Sequence, residues 1–476
     1  MDPINVTERL GRWSSGRGPL YALLAARLRE LIDDGELPPG TKLPPDRALA
    51  TSLAVGRSTV VAAYDLLQSE GRIVRRQGSG TRVSGTASAT PDTTSAPALL
   101  DLLEPRSEVI GLACAAPDTP PPQLIESYHR ILPVLAATTG DIGYHPTGHP
   151  VLRRAVAEYY ANRGLPTEPA QILVTTGGQQ ALSLLARAYL RPGDQVVLEA
   201  PTYPGALEAF REAAAVPRPL PLGLDGFAAA VRAHRPALAY VVPTYQNPTG
   251  AVLPTLARRA LAEAADAHGV PLIDDEVRAE LGFPGTHAPP PLAAFAPSSE
   301  LQITVGSLSK IAWGGLRVGW VRASTATVAR LARLRAVHDL GGNLPAQLAA
   351  ADLLGNLPAL REHSAAERAA RHDHLRAELA RLLPDWEVHP VSGGHTLWVR
   401  LPYGDGTSFA QAALRHRVVV LAGSGMDAGG GSTDHVRLHF LHPPHALSAA
   451  VQRLAAAWRD YRAPARPAIS APPLAM

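Results

Sequence analysis

The sequence predicts an α/β protein in two parts. A small N-terminal helical domain is closed by a β-hairpin, and a large domain is built on a mostly parallel sheet that ends in a smaller α+β subdomain. Two patterns predict this. From about residue 110 onward, short β-branched runs alternate with long Ala/Leu-rich helices, as in βαβ units covered on both faces. Before residue 84, apolar residues recur at helical spacing and then give way to strand-like alternation. A chain of 476 residues also exceeds what one simple core holds.

The N-terminal elements follow in order. PLYALLAARLRELIDDG puts Leu20, Leu24, Leu28, Leu31 and Ile32 on one helical face. ELPPGTKLPP is a turn-rich break. A short helix starts at Asp46, read as its N-cap, and runs through DRALATSL. After a tight AVG turn comes a second helix, RSTVVAAYDLLQSEG. RIVRRQGSGTRV then alternates around a Gly-Ser-Gly turn. Helix, helix, tight turn, helix and hairpin is the plan of a winged helix-turn-helix over residues 1–83.

Residues 84–108, rich in Ser, Thr, Ala and Pro, read as a linker. A flexible chain of that length spans roughly 25–30 Å. The large domain then covers 109–462, with its small subdomain from about residue 370. Its strands are ILVTT (172–176), QVVLEAP (195–201), ALAYVVP (237–243), PLIDDE (271–276) and LQITVGS (301–307). HPVSGGHTLWVRLP, VVVLAG and HVRLHFL belong to the subdomain, and 463–476 reads as a disordered tail.

Composition excludes several classes. One cysteine, Cys114, allows no intrachain disulfide and no thiolate metal cluster, so no metal is expected. MDPINVTERL lacks the apolar run of a signal peptide, and no stretch offers the ~20 apolar residues of a membrane helix. The expected address is the cytoplasm. Residues 1–84 hold 12 basic and 9 acidic side chains, and the rest of the chain balances. The densest basic run, at 72–82, has four arginines and no acid; a solvated surface is its plain reading, and nucleic acid the alternative.

Only two lysines occur, Lys42 and Lys310, so nearly every cation is arginine. A lysine at 310 therefore calls for a reason. In an open α/β sheet, functional residues gather beyond the C-terminal strand ends. Here ILVTT runs into a glycine turn that opens a helix, where Gly178 and Gln179 offer N–H groups to a phosphate. ALAYVVP ends in TYQNPTG with Asn247, PLIDDE ends in Asp274 and Asp275, and LQITVGS ends in SLSK with Ser307 and Lys310. Arg317 follows seven residues later.

This series resembles the fold-type I aminotransferases, which use pyridoxal 5′-phosphate (PLP), over roughly residues 110–460. The resemblance implies that Lys310 joins the cofactor aldehyde as a Schiff base, which an amine can form and a guanidinium cannot. It implies Asp275 at the pyridine nitrogen, with Asp274 as the register alternative, Asn247 at the ring hydroxyl and Tyr203 on the ring face. Ser307, Arg317 and the Gly178–Gln179 turn would hold the phosphate. Tyr144, in YHPTGHPVLRRAV, matches a tyrosine that reaches the other subunit's phosphate, which implies a homodimer. Arg437 matches an arginine that clamps an amino-acid carboxylate. One departure stands out. The family places a tyrosine two residues after the key aspartate, where this chain has Val277, so binding without efficient turnover is expected.

Residues 19–83 resemble the GntR-type winged helix, through PLY and GTKLPPDRALATSLAVGRSTVVAAYDLLQSEGRIVRRQGSGTRV. The resemblance makes 56–66 the recognition helix, with Arg57, Ser58 and Thr59 in the major groove and Arg57 reading a base. Arg47 would meet phosphate or base; Lys42 and the wing residues Arg75, Arg76, Gly78 and Gly80 would meet backbone or minor groove. Val60, Val61, Tyr64 and Leu67 read as core, and Gly56 stands where the family often has a serine cap. Joined, the two halves resemble the MocR subfamily of bacterial transcription regulators. That implies a PLP-dependent regulator that binds an operator in double-stranded DNA and senses PLP or an amino compound. A working aminotransferase with an appended DNA-binding domain is the alternative.

Overall fold

The computed structural model describes residues 6–11, 13–14, 19–33, 36–38, 40–69, 72–76, 80–83, 108–296 and 300–462. Residues up to Pro97 form one compact unit, and those from Ala98 form the other. The 463–476 tail and nearly all of the 84–108 linker lie outside the described residues.

In the first unit, α1 (Val6–Leu10), α2 (Leu20–Asp33), α3 (Asp46–Ser52) and α4 (Arg57–Ser69) surround one apolar core. Leu24, Leu28, Leu31 and Ile32 of α2 are buried there, as their spacing predicts, together with Val60, Tyr64 and Leu67 of α4. Leu20, on the same predicted stripe, is exposed at the helix start. Strands β1 (Ile73–Arg76) and β2 (Gly80–Val83) pair antiparallel, Ile73 with Val83 and Arg76 with Gly80. Ile73 and Val83 complete the core. Asp46 is not the N-cap of α3. Pro45 holds that position, and Asp46 is the first helical residue, where its carboxylate reaches Arg75 at 3.3 Å.

The second unit opens with β3 (Ile110–Gly111). Seven strands then build the main sheet: β4 (Ile172–Thr175), β5 (Gln195–Glu199), β6 (Val216–Leu220), β7 (Leu238–Val241), β8 (Leu272–Asp275), β9 (Gln302–Ser307) and β10 (Gly319–Arg322). Their spatial order is β4-β10-β9-β8-β7-β5-β6. All neighbours run parallel except β10, which is antiparallel to both β4 and β9. Alternate residues face opposite cores. Val196, Leu198 and Tyr240 pack with the helix Gly178–Tyr189, while Val197, Ala239 and Val241 pack with Phe227 and Leu261.

Two of these strands escape a reading by β-branched runs. β6 is VPRPL, and its prolines fit because it is an edge strand with free N–H positions. β10 is the short GWVR, which returns antiparallel from the Lys310 loop.

The small subdomain carries a four-stranded sheet of β11 (Glu387–Val388), β12 (Thr396–Arg400), β14 (Leu421–Ala422) and β15 (His435–His439), in the order β11-β12-β15-β14. β13 (Val418–Val419) pairs instead with β3, in parallel. The subdomain therefore includes the first strand of the unit as well as its C-terminal part, and Leu112 is buried in its core. Among the described residues, no helix is long and apolar enough to cross a membrane.

Gly306, in β9, lies under the indole of Trp320 on β10, and a Cβ there would come within 2.4 Å of the ring. Gly306→Ala is expected to cost about 1–3 kcal/mol through overpacking. A lower urea midpoint followed by tryptophan fluorescence checks this.

Candidate functional site

The C-terminal ends of the parallel strands open on one cavity of about 390 Å³. Gly178, Gln179, Tyr203, Asn247, Asp275, Ser307, Lys310, Arg317 and Arg437 all line it. The fold thus brings together residues as far apart in the chain as Gly178 and Arg437: the parallel strands deliver the residues at and just beyond their ends to one edge, and β15 of the small subdomain adds Arg437 from mid-strand.

At one end, β4 turns through Gly177, whose φ of 124° an L side chain rarely adopts, into the helix Gly178–Tyr189. The helix start leaves backbone N–H groups facing the cavity with the positive end of the helix dipole. Arg317 sits across from it: a Cβ on Gly177 would lie 3.2 Å from the Arg317 guanidinium. Arg317 itself has φ +54°, and among the described residues its guanidinium reaches only the Gly314 carbonyl, at 3.4 Å. Ser307 Oγ donates to the Val318 carbonyl at 3.1 Å and accepts from the Ser309 N–H at 3.1 Å.

Asp275 is buried at the cavity floor. One carboxylate oxygen accepts from the Tyr240 hydroxyl at 2.6 Å and the other from the Val277 N–H at 3.0 Å. Burial raises its pKa, and these two bonds oppose the shift. The pleat separates the two aspartates, and of the pair only Asp275 lines the cavity. Asp274 points away, accepting from the Leu292 N–H at 2.8 Å. Tyr203 donates its hydroxyl to Gln179 Oε1 at 3.0 Å, which fixes the ring in the wall. Gln179 in turn donates to the Gly205 carbonyl, so its side chain is committed within the wall.

Lys310 Nζ donates to the carbonyl of Ala115 at 2.8 Å. Burial pushes the amine down to about 8; Arg278 and Arg437 add to the shift, while Cys114 and Asp275 oppose it. A much larger share of this amine than of an ordinary lysine is therefore neutral and nucleophilic near neutral pH, though the protonated form still predominates there. Arg437 reaches the cavity from β15. Its Nη1 donates to Asn247 Oδ1 at 2.9 Å, its Nη2 bonds the Ala113 carbonyl, and its Nε is buried without an acceptor.

Tyr144 is not brought to this cavity. It stands 62% exposed, beside Ile142 at 82%. The loop that carries it is ordered by Asp141, which accepts from the Gly143 N–H at 2.7 Å and bonds His145 Nε2 at 3.0 Å. Sequence reasoning also missed several lining residues, four of which bear on the site's chemistry. Cys114 and Ala115 arrive on the segment after β3, Ser309 lies inside the SLSK loop, and Arg278 follows Val277. An arginine three residues beyond the key aspartate was the available signal.

The residues present fit PLP. Lys310 supplies an amine for an aldehyde, Arg317 with the helix start supplies donors for a phosphate, and Asp275 supplies an anion for a ring nitrogen. The helix start is also kept open. A Cβ on Gly178 would lie 3.0 Å from Val277 Cγ2, so a larger residue would crowd the turn.

In the N-terminal unit, Lys42, Arg47, Arg57, Ser58 and Gly80 are exposed and Thr59 is half-buried. Arg75 is held inside the unit instead of standing free on the wing. It bonds Asp65 at 2.7 Å and Asp46 at 3.3 Å, and lies over the Tyr64 ring. The side chain of Arg76 and all of Gly78 lie outside the described residues.

Residues 107–454 match the aminotransferase class I and II family, and residues 20–83 match the gntR family of bacterial regulatory proteins. The probable rhizopine catabolism regulatory protein MocR of Rhizobium meliloti is 33% identical over 64% of this chain and 65% of its own. The pyridoxine biosynthesis transcriptional regulator PdxR of Corynebacterium glutamicum is 31% identical over 78% of this chain and 81% of its own. The chain belongs to the MocR subfamily of GntR-type regulators. Among solved structures, the α-aminoadipate aminotransferase LysN of Thermus thermophilus, complexed with N-(5′-phosphopyridoxyl)-L-leucine, superposes with a TM-score of 0.70 at 28% identity. The match covers 77% of this chain and 95% of that one. This MocR-type chain thus has the fold of a PLP-dependent aminotransferase and takes PLP as its cofactor.

Because the Lys310 amine titrates at about 8, PLP uptake by the apoprotein should quicken about tenfold per pH unit as pH rises toward that value and level off above it. Stopped-flow absorbance across that range is the check, and a flat profile would show that another group limits the reaction.

Proposed function

We propose that the larger unit senses PLP, or an amino compound that reacts with it, and that its occupancy sets the affinity of the winged helix for an operator in double-stranded DNA. The observation that carries this reading is the convergence of Lys310, Asp275, Ser307, Arg317 and the Gly178 helix start on one cavity, in a chain that also matches the gntR regulators. PLP, when bound, supplies an aldehyde that condenses reversibly with primary amines.

The chain's own residues divide the work. Lys310 presents a buried amine whose proton burial makes easier to lose. Arg317, Ser307 and the N–H groups of Gly178 and Gln179 hold the phosphate. Asp275 keeps a proton at the ring nitrogen, with Tyr240 and Val277 fixing its carboxylate. Tyr203 covers the ring face, Asn247 donates to the ring hydroxyl, and Arg437 takes an effector carboxylate. Val277 offers no phenol to the ring oxygen, which supports binding with slow turnover. An effector alters DNA affinity only by binding one arrangement of the protein better than another.

We take the working form to be a cytoplasmic homodimer. Tyr144 and Ile142, exposed and not part of their own cavity's lining, support a second copy as the place where Tyr144 acts. On DNA, Arg57 at the start of α4 reads a base, with Ser58 and Thr59 beside it, while Lys42, Arg47 and Gly80 meet the backbone or minor groove.

The test is fluorescence anisotropy with DNA from upstream of the protein's own gene, at fixed salt, with and without PLP. Specific binding should shift with PLP, and Lys310→Ala should abolish the shift. Arg57→Ala should weaken specific binding by about 1–3 kcal/mol while PLP uptake is unchanged. The second reading, a working aminotransferase, is favoured by the cavity-lining Arg437. Brisk steady-state transamination of a common amino acid, with DNA affinity indifferent to PLP, would establish it in place of the first.

A further inference from the structure

Two guanidiniums in the cavity form no ion pair among the described residues. They hang side by side from one loop: Arg278 Nη1 donates to the Gln246 carbonyl at 3.1 Å, and Arg437 Nη1 donates to the Asn247 side chain at 2.9 Å. Their far sides meet adjacent strands. Arg278 Nη2 donates to Thr396 Oγ1 on β12 at 3.0 Å, and Arg437 belongs to β15, paired with β12. Every one of these acceptors is neutral, and among the described residues neither guanidinium lies within ion-pair distance of a carboxylate.

Other buried arginines behave differently. Arg163 forms an ion pair with Glu276 at 2.7 Å. Arg258 bonds through all three nitrogens to carbonyls and a hydroxyl, and does not line this cavity. Arg437, by contrast, keeps a buried Nε with no acceptor, and both Arg278 and Arg437 face the cavity. Burial, with Arg437 adding repulsion, pushes Arg278 down to about 9, and burial pushes Arg437 down to about 10. The pair is thus a costly arrangement until negative charge arrives.

The other charges of the cavity are already assigned. Asp275 answers the ring nitrogen, and Arg317 with the helix start answers the phosphate. A compound with one carboxylate would satisfy one guanidinium and leave the other buried and unpaired. Resting on the PLP-sensor reading above, we infer that the effector is an amino diacid, with one acidic group for Arg437 and the second for Arg278. The class is the acidic amino acids, in contrast to neutral amino acids or simple amines.

The experiment uses the full-length, PLP-loaded protein and isothermal titration with L-glutamate, L-aspartate, L-glutamine and L-alanine. Glutamate and glutamine differ little in size, so their ratio isolates the second charge. The diacids should bind at least about tenfold tighter than glutamine, the scale of one charge-assisted bond. Arg278→Gln should erase that preference without altering PLP uptake or the absorbance of the bound cofactor, and Arg278→Lys should keep part of it. Equal affinity for glutamate and glutamine in the unsubstituted protein overturns the inference, even if Arg278→Gln fails to fold. So does an Arg278→Gln protein that keeps the preference but has altered cofactor absorbance, since Arg278 would then serve the cofactor. Failure of PLP to bind at all removes the sensor reading itself, and the inference falls with it. PLP-dependent DNA binding without diacid preference removes the inference alone.

Discussion

The bond from the Lys310 amine to the carbonyl of Ala115 joins the two halves of the larger unit at its centre. Lys310 stands just beyond β9 of the main sheet, whereas Ala115 follows β3, which pairs with the small subdomain. The amine is buried among guanidiniums, so it cannot carry its charge cheaply there, and a backbone carbonyl is its nearest compensation. The surrounding architecture follows from this constraint. Asp275 sits deep enough to offset the positive charge, and Arg278 and Arg437 are held on neutral acceptors at a distance that keeps the amine partly neutral.

The parallel sheet makes this possible at low cost in specificity. The parallel strands end, and the antiparallel β10 begins, at the same edge, so groups far apart in the chain are placed by backbone pairing rather than by long loops. The strand pleat then chooses between neighbours. It turns Asp275 into the cavity and Asp274 toward the Leu292 N–H, although the two are chemically alike. Just past the strand end, Glu276 goes to Arg163, and the turn that follows brings Arg278 back to the cavity.

Much of this was legible in the sequence because it rests on local signals. The β-branched runs, the glycine turn before the helix at Gly178, and a lysine in a chain that otherwise writes arginine each announce themselves within a few residues. What stayed hidden depends on tertiary partners. The prolines of β6 argue against a strand until its edge position is known. β3 has two residues and exists only because Val418 and Val419 lie beside it. Arg75 reads as a wing cation, yet two carboxylates from different helices hold it within its own unit. Arg278 is one more arginine among many until the fold sets it beside Arg437.

The stretch after β3 gives its carbonyls to the two side chains that a ligand would claim: Ala113 to Arg437 and Ala115 to Lys310. Its other end is stitched to β13. This segment therefore works as a rein. Whatever draws Lys310 and Arg437 toward itself loosens two knots in a single short length of backbone.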